Sequence, residues 1–329
     1  MRRLLMTAAV ATAAALTLTA CGTTEPAADD DAKKGAEPIT LTDASGTKVE
    51  LDGPAKKVVG TEWHEVELLI SLGVDPVGVA DVKGYKTWDT VVPLKNEPKD
   101  IGTRGEPSMD TIAALSPDLI VASTDLPPAA VKQLREVAPV VEVRSADASD
   151  PIGQMTENLD LLAKATGTTE QAEKLKKDFE AKIAEGKKAL ADAGLDGAEL
   201  AFADGYDISN QVSIRPFTSG SLIGAVNEQL GLKNAWTVKG DESYGLGSTD
   251  VEGLTKLGDD VQFAYIANDG DKSSTPFTAN GALADDKVWT SLPFVKKGNV
   301  HRLPDGIWMF GGHESMGAYI DALVGELTK

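Results

Sequence analysis

Residues 151–167 read PIGQMTENLDLLAKATG, and this stretch divides the chain. Ile152, Met155, Leu159, Leu162 and Ala163 recur at intervals of three and four, the period of a helix with one apolar face. Gly167 stops the run, as glycine does just past a helix end. A second helical stretch follows through Leu175, Phe179 and Ile183 to Gly194. On either side the rhythm is different: short apolar strand, loop, amphipathic helix, short apolar strand. Such alternation predicts helices packed on a mainly parallel sheet. The expected fold class is α/β, with two α/β lobes of mainly parallel sheet joined by one long connecting helix at 151–166. A helical connector is stiffer than crossing strands, so little hinge closure is expected.

Working back from that helix, Ile39–Thr42 and Val49–Leu51 alternate around Ala44-Ser45-Gly46 and predict a hairpin. Val58-Val59 leads to a helix at Glu65–Leu72, ended by Gly73. The strand Val77–Ala80, the helix Met109–Leu115, the strand Asp118–Ala122, the helix Val131–Val137 and the strand Val140–Val143 follow. Working forward, the pattern resumes at the strand Glu199–Ala203. It continues through the helix Ser221–Leu230, the strand Val261–Ile266, the helix Lys287–Lys296, the strand Val300–Leu303 and a last helix from about Ser315. The lobes are thus expected at 39–150 and 167–329.

The N-terminus carries an export signal. Met1-Arg2-Arg3 is basic, Leu4–Thr19 is apolar and alanine-rich, and Leu18-Thr19-Ala20-Cys21 closes the stretch. Roughly 20 apolar residues are needed to span a bilayer, and this run is shorter. Leu-Thr-Ala-Cys resembles the bacterial lipobox, so residues 1–20 are expected to be a cleaved signal peptide and Cys21 a lipidated N-terminus. The alternative is an ordinary secretory signal with a chance cysteine. Cys21 is the only cysteine in the chain, which leaves no disulfide framework and no thiolate metal site. Residues 21–38 are rich in Ala, Asp, Pro and Gly and are expected to form a disordered tether reaching about 20–25 Å. The formal charge is −19; cleavage before Cys21 would remove Arg2 and Arg3, leaving 30 basic against 51 acidic residues and −21. That balance excludes a nucleic-acid partner, which needs clustered Lys and Arg.

Catalytic and metal chemistry find little support. His64, His301 and His313 stand in three separate segments without metal-ligand spacing. There is no G-x-S-x-G elbow, and Gly245 and Gly247 do not follow a strand in the dinucleotide pattern. What remains is a set of aromatics and one arginine at loop positions. Trp63 lies just past a strand, and Tyr85 and Trp88 are placed in the loop after Val77–Ala80. Tyr244 precedes a glycine turn, and Trp308 and Phe310 sit in IWMFGG at 307–312. Ligands of open parallel sheets bind beyond the carboxyl ends of the strands, where aromatics wall a cleft or simply pack. Arg104 lies in IGTRGEPSMD, residues 101–110, on a tight turn. It is placed either to meet a ligand or to brace the turn by pairing with Glu106 or Asp100.

The segments EWHEVELLISLG at 62–73, GVAD at 78–81 and IGTRGEPSMD resemble the ferric hydroxamate-binding proteins, substrate-binding components of bacterial siderophore ABC importers. So do GLKNAW at 231–236, VWTSLPFVKKG at 288–298 and IWMFGG. The Arg-Gly-Glu-Pro turn and the Asn-Ala-Trp end of its helix carry the resemblance to the hydroxamate branch. It implies two lobes around a shallow ligand cleft and a lipid-anchored, monomeric, non-enzymatic protein on the extracytoplasmic face. The ligand would be an iron(III)-siderophore complex, its iron held by the siderophore and by no protein ligand, with no cofactor. Arg104 falls on the family's hydroxamate-binding arginine, and Tyr244 falls where the family has a tryptophan. Trp63, Tyr85, Trp88, Trp308 and Phe310 complete the implied ligand-binding set. The family's tyrosine after the third strand of the first lobe has no counterpart, since this chain reads Ser123-Thr124-Asp125. Asp110 and Glu252 match the acidic residues that dock on the ABC permease. A catecholate siderophore, haem or cobalamin on the same scaffold is the alternative ligand class, and an exported enzyme a further one. A catecholate complex would want several basic residues, and only Arg104 is placed in the cleft, with Arg215 open.

Overall fold

The computed structural model describes residues 37–209 and 211–329; Cys21, the signal sequence and almost all of the tether lie outside them. The described chain begins with a hairpin of β1 (Ile39–Thr42) and β2 (Lys48–Leu51), paired Ile39 to Leu51. Then come β3 (Val58–Gly60), α1 (Trp63–Ser71), β4 (Gly78–Val79), α2 (Val82–Trp88), β5 (Lys99–Asp100), α3 (Met109–Leu115), β6 (Leu119–Ser123), α4 (Pro128–Arg135) and β7 (Val140–Val143). The five strands β3 to β7 form one wholly parallel sheet in the order β5-β4-β3-β6-β7. The chain crosses through α5 (Pro151–Thr166) and α6 (Thr169–Asp192). It resumes with β8 (Glu199–Ile208), β9 (Gln211–Pro216), α7 (Leu222–Gln229), β10 (Lys233–Asn234), β11 (Gln262–Ile266), α8 (Pro293–Lys296), β12 (Val300–Leu303) and α9 (His313–Leu327). The second sheet runs β10-β8-β11-β12 in parallel, with β9 antiparallel to the end of β8.

Both sheets are covered on two faces, which is why their strands read as unbroken apolar runs. Along β6, Leu119 and Val121 enter the core beneath the hairpin, while Ile120 and Ala122 face the core under α3 and α4. Along β8, Leu200 and Phe202 face α7 and α9, and Ala201 and Ala203 turn to the other side. The period of two assigns each strand residue to one core or the other.

α5 starts where its side chains say it should. The Asp150 carboxylate accepts from Gly153 N at 3.0 Å, Pro151 sits in the first turn, and Gly167 ends the helix at φ 71°. The crossing, however, is shared by two helices. Met155 of α5 lies in the core of the second lobe, whereas Leu159, Leu162 and Ala163 lie in the core of the first. α6 does the reverse: Ala172 and Leu175 pack in the first core, Phe179 and Leu190 in the second. At about 1.5 Å per residue its 24 residues span about 36 Å.

Three local expectations need correcting. Residues 287–296 are not one helix but a 3-10 turn at Trp289–Ser291 followed by α8. Leu292 is extended, as a residue before proline prefers, and Pro293 opens a new turn. Asn234 and Trp236 do not end a helix: α7 stops at Gln229, and Asn234 closes β10. Tyr85 and Trp88 are not in a loop but on α2, which Asp81 caps by accepting from Gly84 N at 3.0 Å.

Candidate ligand cleft

The cleft lies between the lobes and encloses about 400 Å³. Each wall is built at the carboxyl ends of parallel strands, where loops leave the sheet and side chains converge. The first lobe contributes Glu62, Trp63 and His64 after β3, Trp88 at the end of α2, Arg104 after β5 and Ser145 after β7. The second contributes Tyr206 from β8, Arg215 from β9, Tyr244 and Leu246 from one loop, Asp271 after β11, and Trp308 and Phe310 after β12.

The aromatics form a chain with one cation at its Trp63 end and a second beside Phe310. Trp63 and Trp308 meet edge to face at 4.9 Å, Trp308 and Phe310 at 5.2 Å, and Phe310 and Tyr244 at 5.7 Å. The Arg104 guanidinium lies 4.0 Å from the centre of the Trp63 ring, and that of Arg215 lies 5.4 Å from Phe310. The arrangement gives flat apolar surface for methylene linkers with donors at the edges.

Arg104 braces neither Glu106 nor Asp100. Its Nη1 donates to Glu62 Oε1 at 2.8 Å, across 42 positions of sequence. Glu62 is also the N-cap of α1, accepting from Trp63 N at 2.7 Å, while Glu65 Oε2 accepts from Glu62 N at 3.0 Å to complete a capping box. The turn arginine is thus tied to the end of a buried helix. Arg215 makes a two-pronged contact with Asp204, its Nε donating at 2.9 Å and its Nη2 to the second oxygen. Burial pushes the Asp204 carboxyl up, and Arg215 opposes that shift. A bidentate contact with a group that cannot be titrated off keeps the pair ionised.

Of the ligand-binding residues expected from sequence, Arg104, Trp63, Trp88, Tyr244, Trp308 and Phe310 come together here. Tyr85 does not join them. It is fully buried on the inner face of α2, and its hydroxyl donates to Val92 O at 2.6 Å. After β6, where the resemblance implied a tyrosine that this chain lacks, Asp125 accepts from the Tyr244 hydroxyl at 2.5 Å, joining the lobes at the rim. Asp110 and Glu252 are exposed in the first turns of α3 and of a 3-10 turn at Glu252–Lys256. Sequence reasoning missed Glu62, His64, Ser145, Tyr206, Leu246 and Asp271 and left Arg215 open. A signal for Arg215 existed: an Asp and an Arg each interrupt an apolar strand, 11 residues apart.

The histidines lie apart. Burial lowers the pKa of His64 at the cleft and holds His313, edge-on to Phe179, at about 4; His301 bonds Gln262 at 2.8 Å. Among the described residues, no three metal-ligating side chains cluster.

Two α/β lobes flanking an aromatic cleft with paired charges define a binding protein for a bulky, partly apolar solute. Residues 58–306 match the family described as periplasmic binding protein, and the chain belongs to it. It is 27% identical over 257 residues to the iron(3+)-hydroxamate-binding protein FhuD of Escherichia coli, covering 78% of this chain and 81% of that one. It is 29% identical over 265 residues to the Fe(3+)-citrate-binding protein YfmC of Bacillus subtilis, covering 79% and 77%. Among solved structures, FhuD of Vibrio cholerae bound to Fe3+-Desferal superposes with a TM-score of 0.72 at 25% identity, covering 83% of this chain and 98% of that one. The triscatecholate-binding FeuA of Bacillus subtilis superposes at 0.68 and 20%, covering 88% and 98%, a likeness of fold.

Proposed function

We propose that this protein captures a ferric hydroxamate-type siderophore outside the cytoplasm and delivers it to an ABC permease. It acts by binding and not by catalysis. At the coarser level, an iron-chelate carrier of an ABC importer, the relatives support the reading directly, since they are named for hydroxamate and citrate complexes of iron(III). The finer choice rests on one observation: both cleft arginines already face carboxylates, Arg104 on Glu62 and Arg215 on Asp204. Three hydroxamates neutralise iron(III), whereas a tris-catecholate complex is a trianion and would need unpaired cations. The guanidinium edges can still donate to hydroxamate oxygens while the aromatics bury the linkers.

The test is tryptophan quenching of the purified soluble domain by a ferric trihydroxamate, ferric citrate, a ferric tris-catecholate and haem. Saturable quenching is expected with the trihydroxamate at the lowest concentration. Tighter binding of citrate, catecholate or haem would overturn the choice.

Two further parts of the reading have their own tests. Lipidation at Cys21 would hold the protein to the membrane, so Cys21→Ala should release it from the membrane fraction; unchanged fractionation removes the anchor. Asp110 and Glu252, one on each lobe, are proposed to dock on the permease. Changing both to Ala should abolish iron-siderophore uptake with binding intact. Retained uptake would leave them as ordinary helix-start acids, favoured there by the dipole.

A further inference from the structure

Around the cleft four carboxylates, Glu62, Asp204, Asp125 and Asp271, stand against the two guanidiniums of Arg104 and Arg215, and the place of one of them narrows the ligand within the proposed class. Arg104 is matched by Glu62 at 2.8 Å, and Arg215 by the buried Asp204. Desolvation lowers the pKa of the buried His64, which disfavours its charged form. Asp125 sits at the rim with the Tyr244 hydroxyl on it. Asp271 remains. Its Oδ1 accepts from Ser273 N at 3.1 Å and from Ser273 Oγ at 2.6 Å, capping a 3-10 turn at Lys272–Ser274. Among the described residues no basic group pairs with it, and it lines the cleft on the same wall as Tyr206 and Arg215. With Asp204 behind Arg215 and Asp125 at the rim counted, the surroundings of the cleft carry a surplus of negative charge, inside a chain of net −19.

We infer that the cleft selects ferric hydroxamates carrying a free ammonium, and that Asp271 receives it. This rests on the hydroxamate reading above. A linear trihydroxamate wrapped around iron(III) leaves its ends outside the coordination shell. An end bearing an amine gives the complex a single positive charge, which the unmatched carboxylate can take at the polar edge of the cleft. An acylated end offers no charge, and an anionic complex meets repulsion from Asp271 and from the whole chain.

The probes are the ferric complex of desferrioxamine B, a linear trihydroxamate ending in an ammonium, and the same complex N-acetylated. Tryptophan quenching by each is measured in the full-length protein and in Asp271→Asn, whose amide oxygen can keep the turn cap. In wild type, the ammonium complex is expected to bind about three- to tenfold more tightly than its acetylated form. The ratio should shrink as salt is raised. In Asp271→Asn the ratio should fall to about one. Equal affinities in wild type would overturn the inference while leaving the hydroxamate reading in place. A ratio that survives in Asp271→Asn and collapses in Glu62→Gln would move the role to Glu62 and overturn the assignment. Failure of both complexes to bind would remove the reading and the inference together.

Discussion

Arg104 stands where three demands meet: the turn after β5, the N-cap of α1 and the aromatic face of Trp63. Its fork is already half used by Glu62, and the donors left over are the ones a hydroxamate oxygen would take. If they do, Arg104→Ala should weaken siderophore binding by about 1.5–3 kcal/mol, or about 10- to 150-fold. Arg104→Lys should restore only part of that, because an ammonium is a point charge and does not stack on Trp63. The check is fluorescence titration beside the melting temperature; near-wild-type affinity in a fold that melts normally would rule the contact out. That Arg104 would need a partner was legible in the sequence, because a permanent cation on a Gly-Glu-Pro turn calls for one. That the partner was Glu62 was not, since it lies 42 positions upstream and only the packing of β5 beside β4 and β3 brings them together. Arg215 was harder still. It pairs with Asp204 because the two are directly opposite in the antiparallel register of β8 and β9, and register is fixed by tertiary structure. Tyr85 misled for a local reason: a short capped helix replaced the expected loop and turned the ring inward.

At the scale of the element, α9 has no side-chain cap of its own, since Gly312 holds the position. The cap arrives from the other lobe. Glu67 of α1, fully buried, accepts from Gly312 N at 2.8 Å, Ser315 N at 3.2 Å and Ser315 Oγ at 3.0 Å. Asp89 lies buried beside it, and burial pushes both carboxyls up, the charge of Glu67 adding to the shift on Asp89. Two residues before Glu67, burial and then the charge of Glu62 raise Glu65 to about 8. These acids hold their protons more tightly folded than unfolded, so their contribution is full below about pH 4.5 and is lost as pH rises toward 8. The histidines act oppositely. Their lowered pKa values make stability grow with pH up to about 6.5, after which they are neutral in both states. The two trends offset each other between about pH 5 and 6.5, and only the carboxyls titrate above. Unfolding free energy from urea titrations should therefore fall by about 2 kcal/mol between pH 6.5 and 8. Glu65→Gln should flatten part of that fall. Stability that holds level or rises over this window would show that the buried acids are already ionised.

At the scale of the whole molecule, the question is whether the lobes move. A long helix between two α/β halves was legible from period and from Gly167. The doubling of the connection was not, because an apolar stripe looks the same whichever lobe covers it. In the structure α5 and α6 each bury side chains in both cores, so a hinge would have to break two sets of packing at once. The opposite side is tied as well. Trp308 of the second lobe sits in a cluster with Trp63, Val66 and Ile70 of the first. Thr90 N donates to Gly306 O at 2.9 Å, Asn268 Nδ2 to Thr87 O at 2.6 Å, and Glu67 holds the start of α9. The ties flank the cleft, so ligand should enter a preformed site with lobes nearly fixed. Ligand-free and siderophore-bound crystal structures should then superpose across both lobes with backbone shifts of about 1 Å or less. Lobe closure beyond about 2 Å would mean that these contacts exchange on binding, as they do in hinged receptors.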